Sequence, residues 1–146
     1  MEKQEFKIAI DAPRETVWKV LWANDTYQAW TKPFSEGSHA ITDWKKGSKV
    51  LFLDGKGSGM VSTIDETIPN EVMSFKHLGV VKDGVEDTES AEVKGWAGAH
   101  EIYTLKDVKG KTELIVDIDI NDDFKDYFSN TFPVALQKVK ELAEHA

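Results

Sequence analysis

His77 is the residue best placed to do chemistry. Apolar side chains alternate through residues 72–78, so a strand there sets Met73, Phe75 and His77 on one face, the more apolar one. An imidazole on such a face can orient a ligand or serve as general acid or base. The same spacing also fits a core-edge histidine hydrogen-bonded to backbone. An enzyme of cyclase, hydrolase or aldol type would pair His77 with Tyr103 or Glu101, and needs two such polar groups converging in one cavity. His100 and Tyr103 fall on opposite faces of one strand, so at most one faces inward. His39 and His145 sit in surface contexts.

Other chemistries are excluded by residue type or spacing. With no cysteine there is no disulfide, thiolate metal site or cysteine nucleophile, and the four histidines are too scattered for zinc. Asp117-Ile118-Asp119-Ile120-Asn121-Asp122 resembles the start of a calcium loop, but Asp122 stands where the turn glycine belongs and Phe128 where the bidentate glutamate belongs. Gly55-Lys56-Gly57-Ser58-Gly59 lacks the lysine–hydroxyl ending of a phosphate loop and reads as a flexible turn at a cavity rim. No serine occupies a nucleophile elbow. Asn24-Asp25-Thr26 matches a glycosylation sequon but reads more simply as a helix cap. No metal and no cofactor is expected.

Aromatic residues mark where a ligand would sit. Of the five tryptophans, Trp30, Trp44 and Trp96 lie outside or at the ends of periodic segments and are candidates for a cavity mouth, with core packing as the alternative. Phe128 and Phe132 precede Pro133, and a proline-distorted helix cannot pack tightly on a sheet. The expected ligand-lining set is Trp30, Phe52, Met60, Phe75, His77, Trp96, Tyr103, Phe128 and Phe132.

The elements that must position these residues follow from periodicity. Residues 5–11 alternate as a strand, and Asp11-Ala12-Pro13 starts an amphipathic helix over 13–23 with Val17, Val20 and Leu21 inward. A second short helix, capped by Asn24-Asp25-Thr26, carries Tyr27 and Trp30 and closes at Lys32-Pro33. Strands are expected at 38–44, 49–53, 60–67, 72–78, 99–105 and 112–120. In the last, Leu114, Val116, Ile118 and Ile120 share one face. Residues 79–95 are acidic, lack clean periodicity and read as a long loop that could act as a lid, with at most a helical turn. Asn121-Asp122-Asp123 caps a helix over 122–145, whose apolar stripe is Phe124, Phe128, Ala135, Val139 and Leu142, widened by Tyr127, Phe132 and Leu136. Only this helix is long enough, at about 36 Å, to cover the apolar face of the sheet. An apolar cavity between the two is the natural consequence.

At 146 residues the chain reads as one domain over 1–146, in the α+β class. Its net charge of −8 argues against nucleic acid or anionic lipid as partners. The excess is local: Asp83, Glu86, Asp87, Glu89 and Glu92 against Lys82, and Asp117, Asp119, Asp122, Asp123 and Asp126 against Lys125. There is no apolar run of membrane-spanning length, so membrane insertion is not expected. The N-terminus lacks the build of a signal peptide, and with the absence of cysteine this fits a cytoplasmic location. Oligomeric state leaves no mark in the sequence.

Ile8-Ala9-Ile10-Asp11-Ala12-Pro13-Arg14-Glu15-Thr16-Val17-Trp18 resembles the opening of the START/birch-pollen-allergen-like (SRPBCC) superfamily, a strand followed by A-P-x-x-V-W. Trp30, Phe52, the turn into Gly59-Met60-Val61, Pro69 before Val72-Met73-Ser74-Phe75, and Thr112-Glu113-Leu114 match its later landmarks in order. Within it, the chain is most similar to the subgroup resembling the C-terminal domain of the activator of the heat-shock-protein-90 ATPase. The resemblance implies a helix-grip fold: a curved, mostly antiparallel sheet around a long C-terminal helix, with two short helices after the first strand. It also implies a cavity for a small hydrophobic molecule. Superfamily members include carriers, receptors and cyclases, so it names no activity. Binding of a small hydrophobic molecule is the first expectation, a cyclase- or hydrolase-type enzyme using the pocket histidine the second, and a chaperone-accessory interaction domain the third. Direct stimulation of a chaperone ATPase is not expected, because nothing here resembles the activator's N-terminal domain.

Overall fold

The computed structural model describes residues 2–146. Alternating residues at the start form β1 (Glu2–Ile10), and Pro13 precedes α1 (Arg14–Trp22), which buries Val17, Val20, Leu21 and Trp22. Next come α2 (Asn24–Thr31), β2 (His39–Ile41), β3 (Lys49–Leu53), β4 (Gly59–Ile68) and β5 (Val72–Lys82). After β6 (Val85–Asp87) and α3 (Ala91–Lys94), the chain runs through β7 (His100–Val108), β8 (Lys111–Ile120) and α4 (Lys125–Glu144).

All strands join one antiparallel sheet, ordered β1-β8-β7-β5-β4-β3-β2, with β6 paired to β5 off this path. The sheet is curved and unclosed, leaving β1 and β2 at its edges. Helix α4 packs against β1, α1 and α2. One apolar cluster fills the space, joining Ile10, Val17 and Leu21 to Leu114 and Val116 of β8 and to Ala135, Leu136 and Val139 of α4. The inward face expected of β8 is observed, with Leu114, Val116, Ile118 and Ile120 all buried. This is the α+β helix-grip architecture that the resemblance implies.

Several local expectations are corrected. Residues 79–95 are not a loop: β5 continues to Lys82, Asp83-Gly84 turns with both φ angles positive (51° and 82°), and β6 returns beside β5. Asp-Gly between strands is a strong two-residue hairpin signal, here hidden among charges. The helical turn allowed within this segment is present at residues 91–94, with the Ser90 side chain accepting from the Val93 N–H. Helix α2 begins after Ala23, and Asn24 lies inside it, its side chain bonded to Gln28 rather than capping. Strand β2 stops at Ile41, and Trp44 adopts a left-handed φ of 62° in the turn beyond. The C-terminal helix opens with a 3-10 turn at Asp122–Phe124, the Asp123 amide donating to the Asn121 side chain, before α4 begins. Phe124 is exposed, so the buried stripe of α4 is Phe132, Ala135, Leu136, Val139 and Ala143.

Two β-bulges shape the middle of the sheet. Val61 lies opposite Gly79 but Ser62 opposite His77, so Leu78 is the extra residue; Ile64 then faces Phe75 while Glu66 faces Ser74, leaving Asp65 extra. Bulges of this kind bend a strand and re-aim its side chains. Between them Ser62 is brought directly across from His77.

Candidate functional site

The sheet and the N-terminal half of α4 do not close on each other. Between them lies a recess of about 340 Å³. Helix α2 contributes Tyr27, Trp30 and Thr31, the turn after it Phe34, Ser35 and Ser38, and β2 His39. Phe52 and Leu53 of β3 and Gly59 and Met60 of β4 form one wall. Phe75 and His77 of β5 with Glu101 and Tyr103 of β7 form another, and Tyr127, Phe128 and Phe132 of α4 cover it. Gly59 is required sterically: a Cβ there would sit 1.8 Å from the Phe52 carbonyl oxygen.

The recess is aromatic, with rings in mutual contact. Phe52 and Phe75 meet edge-on at 5.0 Å between centroids, Tyr27 and Trp30 at 5.4 Å, and Phe34 and Phe132 at 4.9 Å. Such pairs are held by ring quadrupoles as well as by burial.

One polar chain crosses this apolar wall. Ser62 Oγ lies 2.6 Å from His77 Nδ1, His77 Nε2 lies 3.1 Å from Glu101 Oε1, and the Tyr103 hydroxyl donates to Glu101 Oε2 at 2.5 Å. Positions 101 and 103 share a face because they are two apart on β7, and Glu101 sits directly across from Phe75. The His77 backbone is fixed by bonds to the Ala99 carbonyl and from the Gly98 amide, each 2.8 Å. Ser62 is wholly buried and His77 only 4 % exposed, while Glu101 is half-buried.

Burial, and then the charge of Glu101, push the phenols of Tyr27 and Tyr103 above the ordinary tyrosine value, and the hydrogen bond to Glu101 adds to the effect at Tyr103. Ser62, the serine bonded to His77, does not itself border the recess. No cluster of three or more acidic or histidine side chains among the described residues could hold a metal ion. No helix among them is long and apolar enough to cross a membrane.

A family profile described as "Activator of Hsp90 ATPase homolog 1-like protein" matches residues 11–144. The chain belongs to that family. No curated protein matches it. Solved structures with the same fold include the Aha1 dimer from Colwellia psychrerythraea, 19% identical, with a TM-score of 0.72 over 99% of this chain and 97% of that one. Protein MLL2253 from Mesorhizobium loti is 13% identical, with a TM-score of 0.73 over 99% and 98% of the two chains. DynU16, from the dynemicin biosynthetic locus, is 14% identical with a TM-score of 0.73, and this chain covers 99% of its own length but 48% of DynU16. At these identities the likeness shows the fold alone.

In this Hsp90-activator-like domain the recess gathers most of the expected residues. Trp30, Phe52, Met60, Phe75, His77, Tyr103, Phe128 and Phe132 border it. Trp96 does not: it follows α3, half-buried, its amide bonded to the Val93 carbonyl. Trp44 is not at a mouth either, packing into the core against Trp22 at 5.2 Å. His100 faces away and lies near Asp65 and Asp119, whereas His39, expected at the surface, borders the recess. Sequence reasoning did not single out Tyr27 and Phe34 as lining residues. The three-residue spacing of Tyr27 and Trp30 on one helix was a usable signal, while Phe34, in a turn, carried none.

Proposed function

We propose that this domain binds a small, largely apolar molecule in the recess between its sheet and α4. One observation carries the reading: ten of the twenty-one residues bordering about 340 Å³ of space are Phe, Tyr or Trp, and among the polar ones His77 and Glu101 converge with the Tyr103 hydroxyl, the build of a small-molecule site. The lining residues named from sequence, Trp96 excepted, are the proposed contacts, with His77, Glu101 and Tyr103 fixing orientation. The test is native mass spectrometry of freshly purified protein, followed by titration with an apolar library read by tryptophan fluorescence, since Trp22 and Trp30 border the recess. A retained or added small molecule whose binding is lost in Phe52→Trp, which fills the space, is the expected result. A saturable ligand whose affinity ignores Phe52→Trp would place binding elsewhere and overturn the reading.

A second reading, an acid–base enzyme, is favoured by the convergence of His77, Glu101 and Tyr103 within hydrogen-bond reach. It predicts that turnover of any bound molecule disappears in His77→Ala. Intact turnover in that variant removes the assignment.

A further inference from the structure

We propose that the recess selects a protonated amine on an apolar body, its ammonium group seated against the Glu101 carboxylate. This rests on the binding reading above and names the ligand class. The first observation is charge. Among the described residues no lysine or arginine borders the recess, while two carboxylates, Glu101 and Asp54, do. Asp54 is committed to its turn, accepting from the amides of Lys56 and Ser58. Glu101 is the one inside the aromatic wall.

The second observation is that no lysine or arginine among the described residues forms an ion pair with Glu101, whose one basic neighbour is His77. Ser62 is wholly buried, and His77 Nδ1 is the hydrogen-bond partner of its hydroxyl, 2.6 Å away. With that hydroxyl donating to Nδ1, the ring N–H lies on Nε2 and is donated to Glu101 Oε1. Tyr103 supplies the other donor. Each carboxylate oxygen keeps a further lone pair for a ligand.

The third observation is the surround. Tyr27, Phe52, Phe75 and Tyr103 border the same space, and ring faces attract a cation while repelling an anion. The net charge of −8 draws cations toward the protein and disfavours anions in the same sense. A carboxylate, aromatic rings and no bordering lysine or arginine together describe a site for an ammonium group rather than for a phosphate, a sulfate or a fatty acid.

Three probes of one size and shape separate the possibilities: 4-phenylbutylamine, 4-phenylbutan-1-ol and 4-phenylbutyrate, titrated into the full chain at neutral pH. The amine should bind about ten- to hundred-fold tighter than the alcohol, and the carboxylate more weakly than either. Glu101→Gln should bring the amine down to the affinity of the alcohol and leave the alcohol within about three-fold. Equal binding of amine and alcohol, or a preference for the carboxylate, overturns the amine assignment and leaves the apolar-ligand reading standing. Failure of all three to bind overturns both. Should Glu101→Gln lose its cooperative melt, the amine-to-alcohol ratio in the unaltered protein decides.

Discussion

Helix α4 is one continuous helix with two different neighbourhoods. After Pro133 its inward side chains are small or aliphatic, and Ala135, Leu136, Val139 and Ala143 are all buried against α1 and the sheet. Before Pro133 the inward side chains are aromatic, and only Phe132 is buried; Tyr127 is exposed and Phe128 half-buried. Short side chains let two surfaces approach until they interdigitate at crystal-like density. Large planar ones hold the surfaces apart and pack edge to face, leaving space among them. The same contrast holds among the residues facing α4, with Val17 and Leu21 of α1 and Leu114 and Val116 of β8 at the closed end and Phe52, Phe75 and Tyr103 at the open one. The domain thus separates two tasks: one end holds the fold together, and the other keeps a recess with a polar chain in its wall.

The sharpest way to break this comparison is to truncate one residue at each end. Leu114→Ala, at a fully buried position, should cost about 2–5 kcal/mol in urea unfolding. Phe128→Ala removes more atoms but from a partly open site, and should cost about 1 kcal/mol. Comparable losses would mean that the recess is as tightly packed as the closed end.

A second test uses pH, because the open end holds buried phenols and the closed end does not. The folded-state values of Tyr27 and Tyr103 lie above the ordinary tyrosine value, chiefly through burial. Their contribution to stability is therefore complete below about pH 10, where the unfolded chain still keeps its phenol protons. Above that pH the unfolded chain releases protons that the folded one retains, so stability falls by about 1.4 kcal/mol per pH unit for each tyrosine. Urea midpoints measured from about pH 9 to about pH 11 should show the fall, and Tyr103→Phe should reduce its slope by one tyrosine's share. An unchanged slope in Tyr103→Phe would show that this phenol ionises without hindrance in the folded protein.

The closed end was the more legible one in the sequence, for a physical reason. Its side chains repeat with the period of their element, as in Leu114, Val116, Ile118 and Ile120, so burial and face follow together. His77, Glu101 and Tyr103 were legible on the same ground, since parity along a strand fixes the face. The contact between Ser62 and His77 was not, because it depends on the bulge at Leu78, and a register shift leaves no trace in residue type. Trp96 failed for the opposite reason. A bulky aromatic outside any periodic run has no direction assigned to it, and the Asp83-Gly84 hairpin that carries the chain away beside β5 was masked by the surrounding charge.

That correction supplies the gentlest test of the comparison. If residues 79–95 were a lid, Trp96 would close on the recess, and its loss would change both stability and binding. Paired to β5 through β6, the segment instead belongs to neither end of α4. Trp96→Ala should therefore cost about 1 kcal/mol or less, as expected of a half-exposed side chain. Trp30→Ala, which deletes a buried ring bonded through Nε1 to the Leu21 carbonyl at 3.0 Å, should cost about 3–5 kcal/mol. The affinity for 4-phenylbutylamine should be unmoved by Trp96→Ala. A several-fold weakening there, with the urea midpoint unchanged, would restore this segment as a lid and extend the open end beyond the residues that border it.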